Sequence, residues 1–271
     1  NALREVERKY IMQEKLYVPY SPESWNKVPK VVHQIWFGKP PAAWRLKLMN
    51  YVRDMCKAQG YEYKLWGSKD LNKINFPLSW KYMKKALTAT NTSRWAQVAD
   101  LARYEILYRL GGVYLDSLFE TRPIFFKRIN SAKSDFIVAN EDPCGLDCKG
   151  YRGLPYMSNA FIAVRPLHPA MQYLTHSEFH NKINFKNVRI NRQTGPYALA
   201  KGIVKTKSKV VIFPYDKIYP AWQDETNHRE AKPNECIRRN NNNNIHVDLP
   251  CKKYPKAWAI YQHGLGGTWS W

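Results

Sequence analysis

The stretch Ser93–Glu120, SRWAQVADLARYEILYRLGGVYLDSLFE, decides the fold because it combines a helix, a glycine break and a short strand. Its apolar residues recur at spacings of three and four, which is typical of one helix face, and they are Trp95, Val98, Ala99, Ala102, Ile106 and Leu110. Gly111-Gly112 is predicted to end the helix, because glycine adopts a positive φ at no steric cost. Val113–Leu115 favours a strand, so Asp116 is predicted to lie at a strand end, where α/β folds usually carry their chemistry.

Strand-like and helix-like segments alternate on both sides of this stretch. Runs of β-branched and aromatic residues predict strands at Val31–Phe37 and Tyr61–Trp66. Helical spacing predicts a helix at Ala43–Ala58, with its apolar face formed by Trp44, Leu48, Tyr51, Val52 and Met55. A basic loop is predicted after Pro123, and the later strands and helices are predicted at Asp135–Asn140, Met157–Val164, 168–180, Tyr197–Gly202 and Lys209–Phe213. This alternation predicts an α/β fold with a mainly parallel sheet.

The composition allows one large domain, or a domain with a subdomain, and argues against several classes of function. The chain has 271 residues, of which 44% are hydrophobic, so it can bury a substantial core. Its formal net charge is +21, but the basic residues are spread along the chain, so no specific nucleic-acid partner is expected. No run of about 18 apolar residues occurs, so no membrane span is predicted.

Five cysteines are too few for a disulfide scaffold in a chain of this length. The pairs Cys144–Cys148 and Cys236–Cys251 could form disulfides in an oxidising compartment, which would leave Cys56 unpaired. The chain does not begin with Met, so we expect it to be a segment from which an upstream signal or anchor is missing. Its location would be the Golgi or ER lumen if an anchor was removed, or the cytoplasm if the protein is microbial or virus-encoded.

Common nucleotide-binding and hydrolase motifs are absent from the sequence, including GxxxxGK[ST], GxGxxG, GxSxG and HExxH. Candidate residues are therefore polar side chains within apolar segments. Asp100 and Arg103 are three residues apart and share a helix face, which would ordinarily indicate an intrahelical ion pair. Because the surrounding helix is apolar, we expect this pair to be half buried and to have a further partner. Trp36, at the exit of the first strand, is either a core residue or a platform on which a ligand stacks.

The sequence resembles a known family in several segments that occur in the same order. Residues 93–116 resemble the sugar-binding region of glycosyltransferases that carry an Asp-x-Asp motif, which include glycosyltransferase family 32 and the large clostridial glucosylating toxins. The other similar segments are Val28–Gly38, Tyr63–Trp66, Ser158–Phe161, His168-Pro169, Thr194–Pro196 and His263–Trp269. The resemblance covers roughly residues 28–271.

The resemblance implies a GT-A fold, a donor sugar linked to UDP or GDP, and transfer of a hexose with retention of configuration. It also implies a hydroxyl acceptor, such as a glycan or a glycoprotein, and a Mn²⁺ or Mg²⁺ cofactor. It implies one domain at residues 28–271, and the charged, helix-like sequence before it predicts a helical extension at residues 1–27. Within that domain, residues 28–140 would form the nucleotide-sugar half and residues 141–271 the acceptor-side half.

The resemblance also implies roles for individual residues. Trp36 would stack on the nucleotide base, Tyr114 would line the nucleotide site, and Trp269 would contact the nucleotide sugar. Asp100 and Arg103 would hold the hydroxyls of the donor sugar and a phosphate oxygen.

Three further residues receive roles in the same way. Asp116, the first aspartate of the motif, would contact the ribose and the metal shell. Asn159 would face the donor sugar or the acceptor, and together with Asp100, Arg103 and Asp116 it is predicted to be catalytic. His263 would help to hold the metal or the diphosphate.

One position departs from the family pattern, because the second motif aspartate is Leu118 here. Leucine cannot coordinate a cation, and three interpretations remain open. Glu120 could replace the missing ligand if the strand continues, since it would then share a face with Asp116. The enzyme could work with a weakly bound metal or without one, relying on Arg103, His263 and the surplus of Lys and Arg. Alternatively, the chain is a catalytically impaired homologue that still binds a nucleotide sugar or a glycan.

Overall fold

The computed structural model describes residues 27–89, 94–141, 154, 156–185, 189–220, 236–239 and 245–262. The predicted N-terminal extension, the Cys144–Cys148 pair, His263 and Trp269 lie outside these residues, apart from Lys27 at the end of the extension.

A six-stranded sheet forms the centre of the molecule, with strand order β2-β1-β3-β6-β5-β7. Its strands are β1 (Val31–Trp36), β2 (Glu62–Gly67), β3 (Gly112–Leu115), β5 (Phe136–Asn140), β6 (Met157–Val164) and β7 (Val211–Phe213). Strand β6 runs antiparallel to both of its neighbours, and the other pairs are parallel. The predicted α/β class with a mainly parallel sheet is therefore confirmed.

In the described part of the chain, two small sheets accompany the central one. Strands β4 (Phe119–Thr121) and β10 (Ala259–Tyr261) pair antiparallel, as do β8 (Ile237–Arg239) and β9 (Ile245–Val247). Cys236 and Cys251 form one of the two predicted disulfides, and Cys56 is a buried free thiol. No helix in the described residues is both long and apolar enough to cross a membrane.

Helices cover both faces of the central sheet. They are α1 (Ala43–Ala58), α2 (Trp80–Thr88), α3 (Trp95–Leu110), α4 (Pro123–Ser131), α5 (Pro169–Thr175), α6 (Ser177–His180), α7 (Ile190–Gln193), α8 (Pro196–Lys205) and α9 (Tyr215–Ile218). Successive side chains of a strand point to opposite faces. Accordingly, Tyr114 of β3 packs with α2, α3, α5 and α8, whereas Val113 and Leu115 pack with α1, α4 and α9.

Helix α3 is buried on all sides, so the predicted single apolar face is wrong. Its buried residues run without a break from Ala96 to Arg109, and its ends, Trp95 and Leu110, are partly exposed. The helix contacts α2 and α5 in addition to strands β1 and β3, and these neighbours enclose it. Its charged residues must consequently find partners inside the protein.

Two other predictions about helices need correction. The segment after Pro123 is helix α4 and not a basic loop, because Phe125, Phe126 and Ile129 form a buried stripe and proline suits a first helical turn. Helix α1 has the predicted bounds, but its buried face differs from the predicted one and consists of Arg45, Leu48, Met49, Val52 and Cys56. An arginine therefore lies on the inner face of α1.

The glycine pair after α3 has the backbone conformation that the sequence predicts. Gly111 and Gly112 have φ values of +63° and +97°. A Cβ atom on Gly112 would lie 2.7 Å from the backbone oxygen of Val31, because β1 passes directly beside β3. These two glycines allow α3 to turn into β3, which carries Asp116 at its end.

We expect Gly112→Ala to lower the free energy of unfolding by about 2–5 kcal/mol, as measured by chemical denaturation. A positive φ costs an L-residue about 1–2 kcal/mol, and overpacking adds about 1–3 kcal/mol. Gly60→Ala is the matched control, because Gly60 also has a positive φ, of +69°, but open space around its Cβ position. Equal losses in the two variants would show that the contact with Val31 does not matter.

Candidate functional site

The candidate site lies at the carboxyl ends of β1 and β3, where two pockets share Asp116 and Tyr261. The aromatic pocket has a volume of about 40 Å³ and includes Trp36, Arg45, Trp95, Tyr114, Ser117 and Leu118. The polar pocket has a volume of about 270 Å³ and includes Asp100, Arg103, Glu141, Ser158, Asn159 and Asn191. Sites for small molecules usually enclose at least about 300 Å³, so the polar pocket is near the lower end of that range.

Asp116 is fixed between the two strands that flank β3. Its backbone N–H donates to the carbonyl of Ala160, and the side-chain amide of Gln34 donates to its carbonyl at 3.0 Å. The Tyr114 hydroxyl donates to Asp116 Oδ1 at 2.6 Å. The predicted position of Asp116 just beyond a strand end is confirmed, and its carboxylate points to the boundary of the two pockets.

Arg103 joins the buried carboxylate of Asp100 to the partly exposed carboxylate of Asp116. Its Nη2 lies 3.3 Å from Oδ1 of Asp100 and 3.3 Å from Oδ1 of Asp116, and its Nη1 donates to the carbonyl of Asn159 at 2.6 Å. The guanidinium also lies over the Tyr114 ring, 4.4 Å from its centre. Burial alone would lower the pKa of Arg103, but Tyr114, Asp116 and Asp100 outweigh burial and raise it. Arg103 therefore carries a permanent positive charge in the interior.

Asp100 connects helix α3 to two distant segments. Its Oδ1 accepts from the side-chain amide of Asn159 on β6, and its Oδ2 accepts from the hydroxyl of Thr194 just after α7, both at 2.8 Å. Burial raises the pKa of the Asp100 carboxyl, while Arg103 and Thr194 act in the opposite direction. The predicted pairing of Asp100 with Arg103 is confirmed, and the pair is fully buried with several further partners.

The aromatic residues of the site lie where the sequence predicts them. Trp36 ends β1, lines the aromatic pocket, and donates its indole N–H to the carbonyl of Lys39 at 2.7 Å. Tyr114 lines the same pocket and is buried. Their contacts with a nucleotide remain predictions.

Neither Leu118 nor Glu120 is placed to bind a cation beside Asp116. Leu118 is 2% exposed and packs into the core on the α1 and α4 face of the sheet. The idea that Glu120 shares a strand face with Asp116 is wrong, because β3 ends at Leu115 and a turn separates it from β4. The buried carboxylate of Glu120 accepts from the backbone N–H of Cys251 at 3.0 Å and from the Gln262 amide at 3.2 Å.

The described residues at this site do not fit a divalent cation. No group of three or more His, Cys, Asp or Glu side chains within the described ranges could hold a metal ion. Asp116 Oδ1 is already engaged by Tyr114 and Arg103, and Leu118 offers no ligand atom. His263, the other predicted metal ligand, lies outside the described residues.

Arg45 is a site residue that sequence reasoning missed. It is 8% exposed, lies in the first turn of α1, and donates from Nη1 to the Ser117 hydroxyl at 2.9 Å. Its guanidinium carbon lies 4.9 Å from the centre of the Trp36 ring and 4.5 Å from that of Trp44. The available signal was its spacing of three and four residues from Leu48 and Met49, which places an arginine on the buried face of a helix.

A known family model matches the part of the chain that carries most of this site. Residues 45–136, which contain Arg45, Asp100, Arg103 and Asp116, match the family model described as "Glycosyltransferase sugar-binding region containing DXD motif". This stretch is similar to the sugar-binding region of glycosyltransferases. The resemblance predicted from the sequence is thereby confirmed over these residues.

The chain is also similar to a curated mannosyltransferase. The chain is 25% identical over 202 residues to inositol phosphoceramide mannosyltransferase 1 of Schizosaccharomyces pombe (strain 972 / ATCC 24843). The match covers 72% of this chain and 58% of the relative, so the chain spans little more than half of that protein's length.

Two solved structures overlap the chain more loosely. PaToxG glycosyltransferase has a TM-score of 0.47 and 15% identity, over 76% of this chain and 80% of its own. A glycosyltransferase involved in the glycosylation of the major capsid of PBCV-1 has a TM-score of 0.44 and 11% identity, over 87% of this chain and 95% of its own. These scores are too low to establish a relationship by themselves.

Thr194 is a second residue whose contribution to the site was not predicted. The sequence marks it only as part of the Thr-Gly-Pro segment before α8, and its hydrogen bond to Asp100 spans 94 residues. Trp269, predicted to contact the nucleotide sugar, lies outside the described residues. The structure thus brings together Asp100, Arg103, Tyr114, Asp116 and Asn159 of the predicted set, with Trp36 at the edge of the aromatic pocket.

Proposed function

We propose that this chain transfers a hexose from a nucleotide sugar to a hydroxyl group of an acceptor, with retention of anomeric configuration. The observation that carries the proposal is the buried network of Asp100, Arg103, Asp116 and Asn159 within the sugar-binding region. This network lines the polar pocket and reaches the aromatic pocket through Asp116, which suits a donor with an aromatic base and a polar sugar.

In this proposal the donor spans both pockets. The aromatic pocket is narrow, so the base would stack on Trp36 at the pocket's mouth, with Tyr114 and Asp116 beneath the ribose. The hexose would enter the polar pocket, where Asp100, Arg103 and Asn159 can meet its hydroxyls. The acceptor would approach from the open side of the polar pocket. UDP and GDP donors both satisfy this arrangement.

The charges of the site suit the departure of a nucleoside diphosphate. When the bond between the anomeric carbon and the phosphate oxygen breaks, its electron pair moves to the diphosphate. The acceptor oxygen bonds to the anomeric carbon, and its proton passes to the departing diphosphate. Fixed positive groups lower the barrier because they need not reorganise as charge develops. Arg103, held by Asp100 and Asp116, is such a group.

The hydrogen bonds of Asp100 argue against a covalent intermediate on its carboxylate. Both of its carboxylate oxygens already accept hydrogen bonds, from Asn159 and Thr194, and Oδ1 also pairs with Arg103. A carboxylate held in this way is a poor nucleophile. Attack by the acceptor on the same face as the departing diphosphate retains the configuration without such a nucleophile.

A second candidate function is binding of a nucleotide sugar without transfer. Leu118 favours this alternative, because a metal ligand of the motif is replaced by a buried apolar side chain. The two functions predict the same donor binding and differ only in turnover.

We expect one donor from a panel of UDP- and GDP-hexoses to raise the Tm of the protein by about 5 °C at a hundred times its Kd. At that concentration, binding contributes about 2.7 kcal/mol, and each kcal/mol shifts a domain of this size by about 2 °C. Free hexoses are the control, because they lack the nucleotide and should leave Tm unchanged. With the selected donor and simple glycoside acceptors, we expect release of the nucleoside diphosphate and a product whose anomeric configuration, determined by NMR, matches that of the donor.

The outcomes separate the proposals. Donor binding without release of the diphosphate, with water or with acceptors, supports the binding function and contradicts transfer. A product of inverted configuration contradicts retention alone. A panel in which no nucleotide sugar binds or reacts contradicts both functions.

A further inference from the structure

We infer that Arg45 supplies the positive charge that neutralises the donor diphosphate, in the part of the site where a divalent cation would otherwise act. This inference rests on the proposed function and adds a residue, a ligand group and a metal-independent mode of action to it. Its basis is that the site resembles a metal-binding motif but offers a guanidinium in place of metal ligands. The motif residues around Asp116 do not fit a metal, while an unassigned guanidinium lies against the same turn.

The first argument is that Arg45 is a buried cation that forms no salt bridge with a carboxylate among the described residues. Arg45 is 8% exposed, and burial lowers its pKa; it is near enough to Asp116 for that carboxylate to act in the opposite direction, but not within salt-bridge distance. Its hydrogen-bond partner is the neutral hydroxyl of Ser117. Buried charges are costly unless they are paired, so a guanidinium in this position indicates an anionic ligand.

The second argument is the position of the guanidinium. Arg45 lines the aromatic pocket together with Trp36, Asp116 and Leu118. Ser117, which accepts its hydrogen bond, lies between Asp116 and Leu118 in the sequence. The guanidinium is therefore next to residues 116–118, the positions at which the family that this sequence resembles carries its two motif aspartates.

The third argument is that the surroundings fix Arg45 without cancelling its charge. Trp36 and Trp44 each lie within cation–π distance of the guanidinium, at 4.9 Å and 4.5 Å. Aromatic faces attract a cation but carry no formal charge. Ser117 uses an oxygen lone pair to accept from Arg45, so its own O–H remains able to donate to a ligand. The group is thus held in place and still available to an anion.

The chemistry of the guanidinium suits an anionic ligand with several oxygens. Asp100 and Asp116 share the single cation Arg103, so the charge of Arg45 brings these four side chains to a formal balance. A guanidinium can bind two phosphate oxygens at once, which a diphosphate offers. As the bond to the sugar breaks, the electron pair goes to the diphosphate and the acceptor's proton follows it, while Arg45 keeps its protons throughout. Arg45 therefore stabilises the departing group electrostatically and does not act as an acid.

The experiment compares wild type, Arg45→Gln, Arg45→Lys and the matched control Arg53→Gln. Arg53 lies on the same helix but is exposed. Calorimetry would measure binding of the nucleoside, the nucleoside monophosphate and the nucleoside diphosphate of the selected donor, each with EDTA and with Mn²⁺. Transfer would be measured in parallel, and thermal unfolding would verify that each variant is folded.

We expect Arg45→Gln to weaken diphosphate binding by about 10- to 100-fold, as loss of a charge-assisted hydrogen bond predicts, and to leave nucleoside binding unchanged. Arg45→Lys should retain part of the affinity, and Arg53→Gln should match wild type. Wild-type transfer should be the same in EDTA and in Mn²⁺. A loss limited to phosphate-bearing ligands would exclude a purely structural role for Arg45.

Three results would overturn the inference. Loss of wild-type transfer in EDTA and its recovery with Mn²⁺ would show that a cation does this work, and this comparison needs no variant. Equal diphosphate affinity in wild type and Arg45→Gln would remove Arg45 from the site, as would a uniform loss for all three ligands. In each case the proposed function stands, because wild type still transfers. A wild-type protein that binds none of these ligands would overturn the proposed function as well.

Discussion

Arg103→Met is expected to lower the free energy of unfolding by about 3–5 kcal/mol, the usual effect of removing one partner from a buried ion pair. Methionine fills much of the same space, but it leaves the carboxylates of Asp100 and Asp116 without their shared cation. Chemical denaturation of the variant and of wild type would measure the loss. Donor binding should disappear at the same time, since Arg103 organises the site.

The loss should depend on pH in a direction that identifies its cause. Burial already raises the pKa of Asp100, and without Arg103 that pKa should rise further. A carboxyl group whose pKa is higher in the folded than in the unfolded state adds stability as the pH falls, so the variant should lose less at pH 5 than at pH 8. Arg53→Met is the control, because the exposed pair of Arg53 with Asp54 contributes at most about 1 kcal/mol. Equal losses at positions 53 and 103 would contradict the buried network.

Asp100→Asn is expected to lower kcat/KM for transfer by about 100- to 1,000-fold, comparable to removal of one preorganised polar group from an active site. Asparagine has the same shape and can still meet Thr194 and Asn159, but it removes the charge beside Arg103. Arg103 keeps Asp116, so the stability should fall by less than in Arg103→Met. Steady-state kinetics with the selected donor, together with thermal unfolding, would measure both effects.

Asp54→Asn provides the matched control for this substitution. Asp54 is an exposed aspartate on α1, and its change to asparagine removes the same charge from a residue outside the network. Its kcat/KM should equal that of wild type. Normal kinetics in Asp100→Asn would mean that Asp100 stabilises the fold and has no part in the reaction.

Local sequence patterns predicted the elements that carry the centre of the site. Helical spacing brought Asp100 and Arg103 to one face, and the glycine pair followed by Val113–Leu115 placed Asp116 at a strand end. Such patterns depend on residues a few positions apart, and the sequence displays them directly. The same patterns predicted the bounds of α1 and β6.

The parts that the sequence did not predict depend on contacts between distant segments. The sequence of helix α3 has the pattern of an amphipathic surface helix. In the structure the helix is buried on all sides by segments that are distant in the sequence. The buried face of α1 is rotated relative to the apolar stripe that the sequence shows, so Arg45 is buried. Its partner, Ser117, is 72 residues away and could not be predicted from local spacing. Glu120 was misplaced because a turn after Asp116 breaks the alternation of the strand.

The hydrogen bond between Thr194 and Asp100 has a consequence for the order of folding. Contacts between distant residues form slowly, because the intervening chain must first lose its freedom. During synthesis at about 5–20 residues per second, Asp100 would emerge about 5–20 s before Thr194. Until then the helix bearing Asp100 lacks a partner that its charge needs in the interior. We therefore expect the donor site to be among the last regions of this protein to become native.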